Sequence, residues 1–184
     1  MTELQQPPTA SSTTATNTTT INEDIIRTGS CRCGHLRFAV KGNSYEYCSL
    51  CHCRCCRLGT SAPVSLVIGV PKDKFEWISG REHALKVCKI SETFEGYYCG
   101  DCGGYVAQGG QDYPFMSTLV CVFDDIKKEF CPRDKFEQDE GMKQFFTPKD
   151  HVNYENRVID FHDELPKYMD FPGPFGSGRI YGQE

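Results

Sequence analysis

CSLCHCRCCRLG, residues 48–59, places five cysteines in nine positions: Cys48, Cys51, Cys53, Cys55 and Cys56, with Arg54 and Arg57 among them. Thiols this close together belong to a disulfide scaffold, a metal site or a catalytic centre, and compartment and spacing decide between these. The chain has 184 residues and twelve cysteines, long enough for one domain whose core needs no covalent staples. The opening MTELQQPPTASSTTATNTTT has neither a basic n-region nor an apolar h-region, and it lacks the arginines of a transit peptide. With no apolar run near the roughly 18–20 residues of a membrane span, the chain reads as soluble and cytoplasmic, where clustered thiols hold metals more often than they form disulfides. The formal charge of −5 argues against a polyanion binder, so nucleic acid and membrane are not expected partners.

On either side of the central cluster stand two simpler ones, Gly29-Ser30-Cys31-Arg32-Cys33-Gly34 and Cys99-Gly100-Asp101-Cys102-Gly103-Gly104. A tight turn with two cysteines one or two residues apart aims both sulfurs into one hollow, and the glycine after it lets the backbone turn its N–H groups toward them. Two such knuckles face to face give a tetrahedral four-sulfur site, Cys31, Cys33, Cys99 and Cys102. Spacing favours zinc, although tetrahedral sulfur also suits iron. In the middle cluster, Cys51, Cys53 and Cys56 on one metal would leave a fourth position open, the pattern of catalytic zinc. A divalent ion with three thiolates carries −1, which Arg54 and Arg57 could temper.

The remaining pattern is short strands. Leu36, Phe38 and Val40 alternate with their neighbours, Ser65–Val70 is a continuous apolar run, Phe75 and Trp77 flank Glu76, and Phe94–Tyr98 leads into Cys99. MSTLVCVF, 116–123, reads as a further strand, 133–146 as one short helix weakened by Gly141, and His151–Phe161 as a returning strand. The expected fold class is mainly β, an antiparallel sheet held by zinc knuckles. Residues 1–22 read as a disordered Ser/Thr-rich tail, 23–172 as the zinc-binding domain and 173–184 as a C-terminal loop or tail. Asn17-Thr18-Thr19 matches a glycosylation sequon, which would need a secretory route.

GSCRCG, CHCRCCR and CGDCGG in this order, with HVNYENRVIDFHDELPKYMDF near the C-terminus, resemble the glutathione-dependent formaldehyde-activating enzyme and centromere protein V family over about residues 27–172. The resemblance implies the Mss4-like β fold. It also implies a structural zinc on Cys31, Cys33, Cys99 and Cys102 and a catalytic zinc on Cys51, Cys53 and Cys56, hence two Zn²⁺ per chain. Cys48 and Cys55 fall outside the motif as spare thiols, with an exchange of Cys55 for a neighbouring ligand as the alternative. Cys88, Cys121 and Cys131 read as small buried hydrophobes or inert thiols.

The implied activity is that of a carbon–sulfur lyase resembling S-(hydroxymethyl)glutathione synthase, which adds a thiol such as glutathione to formaldehyde or another small carbonyl compound. Another zinc-dependent lyase, isomerase or cyclase on a different small molecule in specialised metabolism is the alternative enzyme. A zinc-stabilised binding module is the non-catalytic one, since the same fold serves as a binding protein elsewhere. His52, His151, Tyr113 and Asp160 are the candidate proton donors or acceptors, and His52 is grouped with Cys51, Cys53 and Cys56 as catalytic. His35, His83 and His162 read as ordinary polar positions.

Overall fold

The structure, a computed structural model, describes residues 26–127 and 137–183. The N-terminal tail, Cys131 and the 133–136 part of the expected helix lie outside the described residues. Ten strands among those residues form two sheets, and the helices are short, so the protein is mainly β.

The smaller sheet pairs β1 (Ile26–Ser30), β2 (Arg37–Lys41) and β5 (Phe75–Ser79), antiparallel throughout. The larger has seven strands in the order β10-β3-β4-β9-β8-β7-β6, built from β3 (Tyr47–Cys51), β4 (Ser65–Pro71), β6 (Leu85–Lys89), β7 (Glu95–Cys99), β8 (Tyr105–Gly109), β9 (Phe115–Leu119) and β10 (Asp150–Val152). Only β10 departs from antiparallel pairing, running parallel to β3. Among the described residues the sheets are accompanied by the α-helices α1 (Arg54–Thr60), α2 (Asp124–Lys127) and α3 (Glu140–Phe146).

Alternation along the strands divides the molecule into two environments, because successive side chains leave a strand on opposite faces. Phe38 and Val40 of β2, Ile68 and Val70 of β4, Val106 of β8 and Met116 of β9 share one core with Phe123, Phe145 and Phe146. On the other face of the larger sheet, Val67, Leu119 and Val152 form a second cluster with Cys51 and Cys56. Ser65–Val70 is therefore a continuous apolar run because β4, central in its sheet, is covered on both sides.

Two segments differ from the sequence-based expectation. The strand over 116–123 ends at Leu119, where the chain turns through one turn of 3-10 helix at Val120–Val122, and Phe123 drops into the core. The returning strand is only three residues, since Asn153 takes a left-handed conformation (φ 54°) and starts a 3-10 turn at Tyr154–Asn156. Of the helix expected over 133–146, Glu140–Phe146 forms α3, which starts after the extended Asp139, whose side chain caps it by accepting the Met142 N–H at 2.9 Å. The C-terminal segment is a loop docked on the domain: the Met169 N–H donates to the Arg179 carbonyl and the Tyr181 N–H to that of Lys167. No helix among the described residues is long and apolar enough to cross a membrane.

Candidate metal centres and the adjoining cavity

The first knuckle leaves β1 at Cys31 and the second leaves β7 at Cys99. Each turn is closed by a backbone bond from a glycine, Gly34 N–H to the Cys31 carbonyl (3.2 Å) and Gly103 N–H to that of Cys99 (2.8 Å). Gly34 and Gly103 have φ of 82° and 68°, and a Cβ there would meet nothing within 4 Å, so conformation and not space demands glycine. The four sulfurs of Cys31, Cys33, Cys99 and Cys102 lie within 4.8 Å of one another, with Cys31 to Cys33 at 3.5 Å and Cys33 to Cys99 at 3.8 Å. Tetrahedral zinc with bonds of about 2.3 Å requires sulfur separations of about 3.8 Å, so the set fits. The N–H of Leu36 points at the Cys31 sulfur (3.3 Å), and a hydrogen bond between His35 Nδ1 and the Asp101 carboxylate (2.8 Å) ties the two turns together outside.

Without a cation these sulfurs resist sharing negative charge. The N–H of His35 favours a Cys33 thiolate, but burial and the three other sulfurs outweigh it and push the thiol up to about 12. Burial opposes ionisation of Cys102, yet the N–H groups of Cys33 and Gly104 and the S–H groups of Cys33 and Cys99 bring it down to about 6.

The second group is assembled at the junction of β3 and α1. Cys51 ends the strand, Cys53 is the N-cap of the helix and takes the Cys56 N–H on its sulfur (3.3 Å), and Cys56 lies one turn into the helix, buried. The sulfurs of Cys51, Cys53 and Cys56 again lie within 4.8 Å of one another, a donor set of three thiolates that could hold one metal ion. S–H groups of Cys51 and Cys56 hold Cys53 as thiolate, at about 2, while the bonds Cys51 makes to Cys53 and Cys56, with burial, push Cys51 well above the usual thiol range. A divalent cation bound here would displace the protons that Cys51 and Cys56 keep, since thiol ligands bind as thiolates.

Two amides that also line the adjoining cavity approach the sulfurs. Gln108 donates from Nε2 to the Cys56 sulfur at 3.3 Å, and its amide oxygen accepts the Tyr105 hydroxyl at 2.9 Å, which fixes the direction of the amide. Asn153 directs Nδ2 toward the Cys51 sulfur at 4.0 Å. In front of the sulfurs is a cavity of about 360 Å³, within the range of small-molecule sites. Tyr47, Ser49 and Cys51 of β3 all face it because they alternate, while Cys48 between them points into the core, where burial pushes its thiol up to about 12. Gly69, opposite Tyr47 in the ladder, makes room for that ring: a Cβ there would lie 2.2 Å from Tyr47 Cε1.

The residues expected at the site fall into three groups. Cys51, Cys53 and Tyr113 line the cavity; Cys55 lines it too but stays outside the convergent sulfur group. His52 and His151 are fully buried and line no part of it. They form a chain in which His151 Nε2 donates to the Asp163 carboxylate (2.9 Å) and His52 Nε2 meets His151 Nδ1 at 2.9 Å. In the tautomer that donates from Nε2 to the carboxylate, His151 accepts the His52 Nε2–H at Nδ1, and His52 Nδ1 is buried with no hydrogen-bond partner among the described residues. Burial, then the charges of His151, Arg157 and Arg57, pushes the His52 imidazole down to about 4. Asp160 is exposed and paired with Arg157. Cys88 and Cys121, expected as buried hydrophobes or inert thiols, are exposed.

Gln108, Asn153, Asp163 and the cavity aromatics other than Tyr113 are absent from the sequence-based set. A glutamine inside the apolar strand Tyr105–Gly109 is the signal that marks Gln108. Asn153 and Asp163 lie in the quoted 151–171 stretch, but nothing in their spacing assigns them to the site.

Fold and sites together define a mainly β protein with a closed four-sulfur group that joins two sheets and a three-sulfur group open to a cavity. The family model described as glutathione-dependent formaldehyde-activating enzyme matches residues 26–147, and the chain belongs to that family. Among solved structures, a crystal structure of a Rhodobacter sphaeroides protein is similar at 20% identity, covering 59% of this chain and 94% of that one with a TM-score of 0.43. No curated protein gives a significant match.

Proposed function

We propose that this protein is a zinc-dependent carbon–sulfur lyase-type enzyme that adds a thiol to a small carbonyl compound, or reverses that addition, with residues 23–172 as its core unit. Cys31, Cys33, Cys99 and Cys102 hold a structural zinc, and Cys51, Cys53 and Cys56 hold a catalytic one. The observation that carries this reading is that two of the three convergent sulfurs, Cys51 and Cys53, face a small-molecule cavity. Zinc bound there would lower the pKa of an incoming thiol and polarise a carbonyl oxygen.

In the addition, the thiol sulfur forms a bond to the carbonyl carbon, the C=O π pair moves onto oxygen, and the proton lost from sulfur ends on that oxygen. The chain supplies position. Gln108 and Asn153 orient the sulfurs, and Tyr113 on the cavity wall brings a hydroxyl that can orient the oxygen. Buried away from the cavity, His52 and His151 act as positioning residues for the Cys51–Cys53 turn.

Thiols and formaldehyde also combine without help, so the test is a rate. Exchange NMR on an equilibrated mixture of thiol and formaldehyde should show faster interconversion with the zinc-loaded protein, and the acceleration should vanish in Cys53→Ser. Exchange no faster than in buffer, across a panel of thiols and aldehydes, would remove the catalytic reading.

A further inference from the structure

The walls of the cavity bear on which thiol or carbonyl compound it takes. None of the described residues that line it is Lys, Arg, His, Asp or Glu. Glutathione carries two carboxylates and an ammonium, and charged groups entering an apolar site must be paired there or left in water. Two neighbouring cations are engaged elsewhere: Arg57 Nε donates to the His52 carbonyl (3.1 Å), and Lys72, whose N–H binds the Pro114 carbonyl, turns its Nζ onto the Gly110 carbonyl (2.9 Å), while Arg54 beside the lining Cys53 and Cys55 lies exposed on α1. The background is also unfavourable to an anion, since the chain has a formal charge of −5 and three thiolates around one divalent ion sum to −1.

In place of charge the cavity offers rings. Phe94 packs on Tyr113 (centroids 4.9 Å), Tyr113 on Phe115 (5.7 Å) and Phe115 on Tyr47 (5.2 Å), each edge to face, so one continuous aromatic wall runs from the mouth to the strand that ends in Cys51. Phe175 meets Phe115 from the C-terminal loop at 6.5 Å. At the mouth, Tyr113, Phe171 and Phe175 remain 37%, 41% and 55% exposed. Large apolar side chains exposed together around a concave site mark a surface that a ligand covers.

We propose that the substrate is an uncharged molecule bearing an aromatic or similarly apolar group, whose ring lies against Phe94, Tyr113 and Phe115 while its thiol or carbonyl end reaches Cys51 and Cys53. This rests on the three-sulfur site being the reaction centre; it narrows the partner from thiols in general to neutral arene-bearing ones and sets glutathione aside.

The test is calorimetric binding to the zinc-loaded full chain of phenylmethanethiol, benzyl alcohol as its thiol-free analogue, and glutathione. Phenylmethanethiol is expected to bind tighter than glutathione by about tenfold or more, with benzyl alcohol weaker than the thiol but measurable. Phe175→Ala and Phe94→Ala, both changes on the wall with the strands intact, should weaken the two arenes several-fold and leave glutathione unmoved. Glutathione binding as tightly as phenylmethanethiol, or arene affinity unchanged in both variants, overturns the proposal. Turnover is read separately by NMR with formaldehyde. Arene binding without S–C bond formation keeps the ligand class and removes the reaction, whereas turnover of glutathione alone keeps the reaction and removes the ligand class.

Discussion

Gly69→Ala puts a methyl where the ring of Tyr47 lies, with Cε1 2.2 Å and Cζ 2.6 Å from the new Cβ. Real Cβ contacts are not that short, so the ring must leave its place against Phe115 or the β3–β4 ladder must open. Overpacking of this kind costs about 1–3 kcal/mol. Replacing glycine also restricts the unfolded chain, which returns about 0.4–1 kcal/mol. The net loss is about 1–2 kcal/mol, which for a chain of this length lowers the melting temperature by about 2–8 °C. Thermal unfolding of the zinc-loaded protein measures it, and a double-mutant cycle assigns it. In a Tyr47→Ala background the clash is gone, so adding Gly69→Ala should change stability by less than about 0.5 kcal/mol. An equal cost in both backgrounds would refute the steric account of Gly69 and, with it, the placement of the Tyr47 ring as cavity wall.

Further outcomes follow from the same geometry. Gln108→Leu leaves the Cys56 sulfur without its N–H donor and the Tyr105 hydroxyl without its acceptor; competition with a chromophoric chelator should show zinc affinity at the three-sulfur site reduced about 10–100-fold. His151→Ala strands His52 and removes a partner of Asp163, and urea unfolding should register a loss of about 2–5 kcal/mol with the zinc content of the four-sulfur group unchanged. The His52 imidazole, pushed down to about 4, stays neutral in the fold while the unfolded chain takes up a proton near 6.5. Its contribution is therefore complete above pH 6.5 and lost as pH falls toward 4. His52→Gln should flatten that part of the stability profile relative to the parent, and parallel profiles would count against the buried neutral ring.

Much of the fold was readable because the signals were local. The Gly-terminated Cys turns at 31–34 and 99–104 specify their own geometry, and Ser65–Val70 and Phe75–Trp77 have strand period and composition. The strand within 47–51 was hidden, because Cys48 and Cys51 read as ligands although they also alternate between core and cavity. Val120–Phe123 looked like more strand since its apolar residues are buried, but burial there is reached through a 3-10 turn that inserts Phe123. At the site, the sulfur groups were legible from spacing and the supporting residues were not. Gln108 meets Cys56 across 52 positions and Asp163 reaches His52 only through His151, and such contacts are made by sheet order, not by neighbouring sequence. His52, whose place between two cysteines suggests chemistry, follows the end of β3 and is buried in the interior, lining no part of the cavity.

The most direct test of the two-site account is zinc per chain, by elemental analysis of the purified protein beside Cys53→Ser and Cys33→Ser. The account predicts two zincs in the parent and one in Cys53→Ser with the fold retained, whereas Cys33→Ser, which opens the group joining the two sheets, should lose metal and cooperative unfolding together. One zinc in both the parent and Cys53→Ser would mean that the cavity sulfurs hold no metal, which contradicts the account.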